Sequence, residues 1–282
     1  MCGTCGCGSG ENGVSIQNPK EIKTHVHQHE HHDHNAEHGH SHEHTHDGNS
    51  HTHSHDHAQD HHHKTIIEVE QDILHHNDVM AARNRGYFDA KNIFALNLVS
   101  SPGSGKTSLL ERTLKDLKAE IPFFVIEGDQ QTLNDANRIS AIDIPVIQIN
   151  TGKGCHLESD MIYDAVKKLD ISDNSVLMIE NVGNLVCPSM FDLGESKRVV
   201  IISTTEGEDK PIKYPDMFHT SDLCIINKID LLPYLNIDME KLKQYALKVN
   251  PKLQFIELSA TTGQGMEAWY QWLRENRDQP KN

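Results

Sequence analysis

The sequence predicts an α/β fold in which helices flank a mostly parallel β-sheet, preceded by a disordered His-rich N-terminal tail. From Asn92 onward, short β-branched runs alternate with helical stretches, which is typical of parallel strands joined by crossover helices. The runs are "IFALNLVS", "FFVIE", "PVIQIN", "SVLMIEN", "VVIIST", "LCIINKI" and "LQFIELS". Residues 1–64 differ in composition, so we expect one globular domain, residues 65–282.

The charge and hydropathy of the chain exclude two classes of partner. The 26 Lys and Arg residues are outnumbered by 41 Asp and Glu, which gives a formal net charge of -15. Phosphate contacts need clustered basic residues, so we expect no nucleic-acid partner. The sequence has no secretory h-region and no apolar run of roughly 18 residues. We therefore expect a soluble, cytoplasmic protein with no membrane association.

The opening segment, residues 1–24, is rich in cysteine. Its first residues, "MCGTCGCG", place Cys2, Cys5 and Cys7 close together between Gly and Thr. In a reducing compartment, a C-x-x-C-x-C run indicates a soft-metal or redox site before a disulfide framework. Because glycine permits tight turns, the three thiolates can wrap one ion, and the terminal amine offers a fourth ligand.

A His-rich tract follows at residues 25–64 and contains 18 of the 22 histidines. It has almost no residues that could form a core, so its composition predicts disorder. Imidazoles interleaved with Asp and Glu are a concentrated supply of metal ligands. Metal storage or buffering is therefore favoured over a purely solubilising role.

The stretch "TIIEVEQDILHHNDVMAARNRGYF" predicts an amphipathic helix that leads into the domain, with Ile73, Leu74 and Met80 among its apolar residues. His75 and His76 on this helix are expected at the surface rather than as ligands. Further along the chain, Cys224 lies in an apolar strand and is expected to pack in the core.

A phosphate-binding loop is predicted between the first core strand and a helix. The sequence "SSPGSGKTS" follows the strand and matches G-x-x-x-x-G-K-[ST], except that Ser100 replaces the first Gly. Its backbone N–H groups can turn toward phosphate, Lys106 can reach the β and γ phosphates, and the Thr107 hydroxyl can ligate Mg²⁺. The context favours a P-loop NTPase. The predicted nucleotide-binding residues in this loop are Gly103, Ser104, Gly105, Lys106, Thr107 and Ser108.

Two acidic strand ends are candidates for catalysis beside Lys106. "VIEGDQQT" offers Asp129, and "LMIENVGN" offers Glu180 with Gly183 three residues on. Either carboxylate can orient magnesium or the attacking water. The choice between these roles stays open at this stage.

The string "INKID" indicates which base is bound. A carboxylate at Asp230 would accept both N–H donors on the guanine edge, which adenine lacks, so the sequence favours GTP. Asn227 would hold the loop and contact the base, and the Lys228 stem would pack over it. "ELSATTG" supplies a further base-contacting loop at Ser259 and Ala260.

The Cys-rich start, the His tract and the motifs "SSPGSGKT", "IEGDQQT", "NTGKGCHLE", "ENVGNLVCP", "TEGEDKP" and "NKIDLLPY" together resemble the HypB family of hydrogenase-maturation GTPases. The resemblance implies a GTP-dependent homodimer that acts with maturation partner proteins to insert nickel into a [NiFe]-hydrogenase large-subunit precursor. It also implies GTP, Mg²⁺, Ni²⁺ and Zn²⁺ as cofactors. Two metal sites are implied: Cys2, Cys5 and Cys7 for nickel, and Cys155, His156 and Cys187 for nickel or zinc.

The residues support the second metal site independently. Cys187 lies just beyond Glu180 and Gly183, where a loop that senses the γ-phosphate is expected, and Cys155 and His156 should open a helix after a neighbouring strand. Thiolate and imidazole suit Zn²⁺ or Ni²⁺. Three ligands leave tetrahedral zinc one position short unless water or a partner subunit completes it, which suits transfer better than permanent structure.

Two other functions remain open. A urease-directed nickel GTPase would not be expected to combine the Cys-rich start with the Cys-His-Cys set. A nickel-storage protein whose GTPase domain has a regulatory role is the alternative from a different class.

We predict that the tail binds several nickel ions weakly through imidazoles and one tightly through Cys2, Cys5 and Cys7. Replacing Cys2 and Cys5 by Ala should remove only the tight class in a nickel titration. Ligation requires deprotonation, so the weak class should also weaken as pH falls through about 6.5. Survival of the tight class would contradict the assignment of the terminal cysteines.

Overall fold

The computed structural model describes residues 14–19, 66–130 and 134–278. The terminal cysteines and the His tract lie outside these ranges, so the predictions for them stay predictions. None of the helices in the described ranges has a stretch long and apolar enough to span a bilayer.

The core of the fold is one eight-stranded sheet with the order β1-β4-β3-β5-β2-β6-β7-β8. All neighbouring strands run parallel except β1, which pairs antiparallel with β4 at one edge. The predicted mostly parallel sheet is therefore confirmed. The strands are β1 Ser15–Gln17, β2 Phe94–Ser100, β3 Phe123–Asp129, β4 Val146–Asn150, β5 Val176–Gly183, β6 Lys197–Ser203, β7 Leu223–Asn227 and β8 Gln254–Glu257.

Eight α-helices in the described ranges cover this sheet. They are α1 Ile66–Ala90, α2 Lys106–Leu117, α3 Asn134–Ser140, α4 Ser159–Leu169, α5 Lys210–Lys213, α6 Pro215–His219, α7 Met239–Val249 and α8 Met266–Arg277. Three short 3₁₀ helices, at Cys187–Met190, Thr204–Glu206 and Ile229–Tyr234, follow the ends of β5, β6 and β7. The carboxyl edge of the sheet is thus lined by tight turns.

Helices pack on both faces of the sheet. On one face, Leu109 of α2, Ile139 of α3 and Trp269 of α8 share a buried cluster with residues of β2 and β3. On the other face, α1 and α4 pack over β3 to β5, and α6 and α7 pack over β6 and β7. Because both faces are covered, the central strands are apolar on both sides, as parallel strands must be. Cys224 is fully buried in the second face, which confirms its core position.

β1 is an edge strand that the sequence pattern did not reveal. Ser15 pairs with Asn150, and Gln17 pairs with Gln148. Because the two strands are antiparallel, β1 begins at the carboxyl edge of the sheet, beside the last residue of β4.

The predicted helix at the start of the domain is present as α1, but its buried face differs from the apolar stripe in the sequence. Ile73 is 44% exposed, whereas Asn77, Ala81, Asn84 and Phe88 are buried. These four residues recur at helical spacing on one face. Two of them are amides whose side chains donate to backbone carbonyl groups of the domain. Polar docking, which hydropathy does not detect, therefore sets the orientation of α1.

Gly194 is a point of close approach between the domain and α1. Its φ is +86°, and a Cβ atom there would lie 2.6 Å from the carbonyl oxygen of Ala81 and 2.7 Å from Cβ of Asn84. A side chain at this position would be strained by its backbone and would push the helix away.

We expect Gly194→Ala to lower the free energy of unfolding by more than about 1 kcal/mol. The added Cβ atom would be strained in the left-handed backbone conformation and would collide with α1. Gly86→Ala is the matched control, because Gly86 lies inside α1 with open space around it. That change should stabilise the chain by about 0.5–1 kcal/mol. Urea unfolding of both variants measures the difference; an unchanged midpoint for Gly194→Ala would contradict this docking of α1.

Candidate functional site

The glycine-rich loop between β2 and α2 leaves the first turn of α2 open toward its N-terminal end. Gly105 precedes α2 with a φ of +90°, and no side chain caps the helix. A Cβ atom at Gly105 would lie 2.5 Å from Nδ2 of Asn227, so only glycine fits. The free N–H groups of a helix N-terminus form an anion site. The loop therefore has the backbone geometry that a phosphate group requires.

Glu180 at the carboxyl end of β5 holds the two side chains predicted to act on the phosphates. Lys106 Nζ donates to Glu180 Oε1 at 2.8 Å, and Thr107 Oγ1 donates to the same oxygen at 2.6 Å. The second oxygen, Oε2, is buried and has no hydrogen-bond partner among the described residues. A buried carboxylate oxygen without a partner costs free energy unless a ligand uses it. These residues therefore fit a bound phosphate group and its Mg²⁺ ion.

Asp129, the second predicted acid, is the last residue of β3 and is partly exposed. Its Oδ1 accepts a hydrogen bond from the backbone N–H of Gln130 at 2.7 Å. Sequence reasoning missed Glu127, which is only 2% exposed and lies opposite Glu180 in the register of β3 and β5. The available signal was an acid inside the apolar run "FFVIEGD". Two carboxylates thus lie side by side near the loop.

Asn227 joins the base-reading loop to the phosphate loop and to the loop after β8. Its Nδ2 donates to the carbonyl oxygen of Ser104 at 2.9 Å, and its Oδ1 accepts from the backbone N–H of Ala260 at 3.1 Å. The adjacent Lys228 donates from Nζ to the carbonyl oxygen of Gly103 at 2.6 Å. The structure therefore brings the three predicted nucleotide-binding loops together.

Asp230 is partly exposed in the 3₁₀ turn Ile229–Tyr234, and its carboxylate makes no hydrogen bond or ion pair with the described residues. Both oxygens are thus available to a base. Ser259 is fully buried and its hydroxyl accepts from the backbone N–H of Thr262 at 3.1 Å, which shapes the neighbouring loop. Ser108 is exposed one residue beyond Thr107.

The predicted Cys-His-Cys set forms a compact cluster. The ligand atoms of Cys155, His156 and Cys187 all lie within 4.8 Å of one another. The Sγ atoms of Cys155 and Cys187 are 2.8 Å apart. Within the described ranges, the chain has no other such group of three potential metal ligands. Soft thiolates with one imidazole suit Ni²⁺ or Zn²⁺.

Burial and stacking fix the orientation of His156. The residue is 5% exposed, and its ring stacks on Phe191 with centroids 4.0 Å apart. Its Nδ1 is 3.7 Å from Cys155 Sγ, while its Nε2 lies 3.3 Å from Glu158 Oε1 without hydrogen-bond geometry. The ring is therefore held against the cysteine pair before any metal binds.

The expectation that Cys155 and His156 open a helix is wrong, because α4 begins only at Ser159. A turn in which the N–H of Gly154 bonds to the carbonyl oxygen of Thr151 at 2.9 Å holds the two ligands in the loop before the helix. A loop position leaves both side chains facing the next loop instead of the helix axis.

Cys187 lies four residues beyond Gly183 and begins the 3₁₀ helix Cys187–Met190. Cys224, the third cysteine in the described ranges, is not part of the candidate metal site. Its complete burial raises the pKa of the thiol well above the ordinary value, so it stays protonated.

Comparisons with known proteins show the family of this chain. The family described as "CobW/HypB/UreG, nucleotide-binding domain" matches residues 94–257. The hydrogenase maturation factor HypB of Escherichia coli strain K12 is 56% identical over 214 residues, which cover 76% of this chain and 74% of that protein. HypB of Rhizobium leguminosarum bv. viciae is 60% identical over 208 residues, covering 74% of this chain and 70% of that protein.

Solved structures show the same relationship. HypB from Archaeoglobus fulgidus superposes with a TM-score of 0.68 at 40% identity, covering 72% of this chain and 100% of that chain. HypB from Helicobacter pylori in complex with nickel superposes with a TM-score of 0.67 at 39% identity, covering 72% and 95% of the two chains.

The sheet, the glycine-rich loop before α2 and the loops that meet at Asn227 define a P-loop nucleotide-binding protein of the GTPase class. The chain belongs to the CobW/HypB/UreG family, and within it to the HypB hydrogenase maturation factors. The family predicted from the sequence motifs is confirmed.

Asp230→Asn tests the base-reading loop. The change places an amide donor against a guanine donor, which should cost about 2 kcal/mol of GTP affinity. Xanthosine triphosphate, which presents a carbonyl in place of the guanine amine, should recover binding to the variant. Fluorescence titration with both nucleotides measures this. Undiminished GTP binding by the variant would show that "NKID" does not read the base.

Proposed function

We propose that this protein hydrolyses GTP to GDP and phosphate, and that hydrolysis gates the delivery of nickel to a [NiFe]-hydrogenase precursor. One observation carries the proposal: a segment of eight residues contains both Glu180, which holds Lys106 and Thr107, and the metal-ligand candidate Cys187. A movement of Glu180 when nucleotide binds or is hydrolysed would therefore reach Cys187 through this short segment. The nickel-bound Helicobacter pylori relative supports nickel as the cargo.

The nucleotide half of the function uses contacts that exchange when GTP binds. Lys106 and Thr107 share one oxygen of Glu180, and phosphate oxygens are the competing acceptors for both donors. Lys106 would then bind the β and γ phosphates, and Thr107 with Glu180 or Asp129 would hold Mg²⁺. The ion would neutralise charge on the phosphate oxygens. Whichever of Glu180 and Asp129 is not bound to the ion would orient the attacking water.

The metal half uses Cys155, His156 and Cys187 as ligands for nickel, with zinc as the competing ion. The donor set is soft and leaves a position for water or a ligand from a second subunit. An incomplete set favours release, which a delivery protein needs. Cys155 is partly exposed while the other two ligands are buried, so exchange would take place through Cys155.

The assembly that fits this chemistry is a GTP-dependent homodimer in the cytoplasm. A two-fold interface brings identical surfaces together, so an open coordination position in each subunit could be completed by its partner. The hydrogenase large-subunit precursor and maturation proteins would receive the metal. β1 begins with Ser15 at the same edge of the sheet as the candidate metal ligands, which supports a common metal path.

A second candidate function is nickel storage with a regulatory GTPase domain, and the His-rich tract favours it. If a variant without the tract lost hydrogenase maturation even in excess nickel, storage could not be the main role of the tract. Counting the nickel bound by the tract and by the GTPase domain separately distinguishes the two functions.

We expect nucleotide state to change nickel affinity through Cys187. The measurement uses the full chain with Cys2, Cys5 and Cys7 replaced by Ala, called here the parent variant, in nickel buffered by a chelator. Thiolate-to-nickel absorption then reports only Cys155 and Cys187, because imidazoles give no such band and Cys224 is buried as a thiol. Nickel affinity should differ by about 5- to 150-fold between GDP and a non-hydrolysable GTP analogue, and GTP affinity should respond to nickel by the same factor.

Cys187→Ala in the parent variant should remove this dependence and leave GTP binding within about threefold, because Cys187 is not among the residues predicted to bind nucleotide. Zinc affinity is measured in the same way, in competition with nickel. Equal affinities in both nucleotide states, for both metals, would sink the gating proposal and leave a structural zinc site.

A further inference from the structure

The two loops that carry the metal ligands are joined inside the domain by a continuous row of buried hydrogen bonds. We call the row the buried polar chain and define it as Asn181, Asn97, Glu195 and Arg198. Both asparagines are fully buried, Arg198 is 6% exposed, and the Glu195 side chain is 6% exposed. Four polar residues in an apolar interior are costly unless each is satisfied, so their arrangement is specific.

Arg198, near the start of β6, holds the loop that contains Cys187. Its guanidinium donates to the carbonyl oxygens of Ser189 at 3.2 Å and Phe191 at 2.9 Å. Ser189 lies in the 3₁₀ helix that begins with Cys187, so the guanidinium fixes both that helix and the residue after it. The planar fork of arginine suits two carbonyl groups, and lysine could not bind both in the same way.

Phe191 extends this control to the second loop, because its ring stacks on His156. Glu195 in turn fixes Arg198: its Oε1 accepts from Nε at 2.9 Å and from Nη2 at 2.8 Å. The paired charges leave the guanidinium no freedom to turn away from the loop.

Asn181 holds the other ligand loop. Its Oδ1 accepts from the backbone N–H of Leu157 at 3.2 Å, and Leu157 directly follows His156. Leu157 is itself fully buried, so the bond has no competing water. The loop position of Cys155 and His156 therefore depends on this amide.

Asn97, in the central strand β2, links Asn181 to the Glu195–Arg198 pair. Its Nδ2 donates to Glu195 Oε1 at 3.0 Å, and its Oδ1 accepts from Asn181 Nδ2 at 3.2 Å. The nitrogen and the oxygen of the Asn97 amide are thus both hydrogen-bonded, and each bond leads to a different metal-ligand loop. Replacing this amide would uncouple the loops without touching any ligand atom.

We propose that the buried polar chain positions the two loops of the metal site and sets the separation of Cys155 and His156 from Cys187. This inference rests on the proposed nickel function of that cluster. The four residues are positioning residues, since none of them lies within the ligand set. Residues that orient metal ligands typically contribute 10- to 100-fold to metal affinity.

The buried polar chain also adjoins the candidate nucleotide site. Glu180 and Asn181 are successive residues of β5, so their side chains point to opposite faces of the sheet. Glu180 contacts Lys106 on one face, and Asn181 contacts Asn97 on the other. A shift of the β5 end when Glu180 exchanges its partners would therefore reach both metal loops through one backbone segment.

Asn97→Ala in the parent variant tests the proposal. Asn250→Ala is the matched control, because it also removes a carboxamide with several hydrogen bonds, but near the amino-terminal end of β8. In chelator-buffered nickel, we expect the dissociation constant of thiolate-bound nickel to rise 10- to 100-fold for Asn97→Ala. It should change less than threefold for Asn250→Ala, and GTP binding should stay within threefold for both.

Both variants lose buried hydrogen bonds, so both should unfold at a lower urea concentration, and lost stability alone cannot separate them. If Asn97→Ala kept both the nickel affinity and the thiolate absorption band of the parent variant, the positioning role would be overturned. If the parent variant itself showed no thiolate–nickel band, the proposed metal site would fall first, and this inference with it.

A second variant keeps the test decisive if Asn97→Ala does not fold. Arg198→Lys retains the charge beside Glu195 but loses the fork to the carbonyl groups of Ser189 and Phe191. The same rise in the nickel dissociation constant is expected for a folded, GTP-binding protein. A nickel affinity of Arg198→Lys within threefold of that of the parent variant would refute the proposal.

Discussion

The carboxylate of Glu180 at the end of β5 is the interaction on which the rest of the site depends. It draws Lys106 and Thr107 of α2 onto the central strand, with side chains 2% exposed for Glu180 and 10% exposed for Lys106. A buried ion pair contributes little net stability, because desolvation offsets the attraction, but breaking it is costly. A ligand that offers Lys106 another anion can release the pair. Phosphate oxygens meet that condition, so in the proposed function nucleotide would act on the end of β5 through this pair.

The parallel sheet determines where the metal ligands meet. Parallel strands all finish at one edge, so the loops after β4 and β5 leave the sheet at the same edge as the phosphate loop after β2, with β3 between β4 and β5 and with β5 directly beside β2. Cys155 and Cys187 are 32 residues apart in the chain, yet their sulfur atoms are 2.8 Å apart. The candidate nucleotide and metal sites are therefore at the same edge of the sheet because of topology.

Several asparagines are buried in the interior of the domain. Asn97 and Asn181 lie on the face of the sheet that α1 and α4 cover, and Asn77 and Asn84 dock α1 through backbone carbonyl groups. Such groups specify a single arrangement, because any shift would leave a buried donor or acceptor without a partner. That specificity would suit the proposed metal site, whose ligands must stay in place while the metal is exchanged.

The sequence by itself determined the features that depend on short stretches of chain: the alternating strands and helices, the phosphate loop, the "NKID" loop and the presence of Cys-His and Cys ligands. Each is encoded within a few residues, because backbone conformation and local spacing set its chemistry. Tertiary structure alone decided that Glu180 binds Lys106, that Asn97 links two loops, and that α1 buries asparagines while Ile73 is 44% exposed. The physical reason is that those contacts join residues tens of positions apart. Strand register and helix docking bring them together, and neither hydropathy nor motif spacing records which partners will meet.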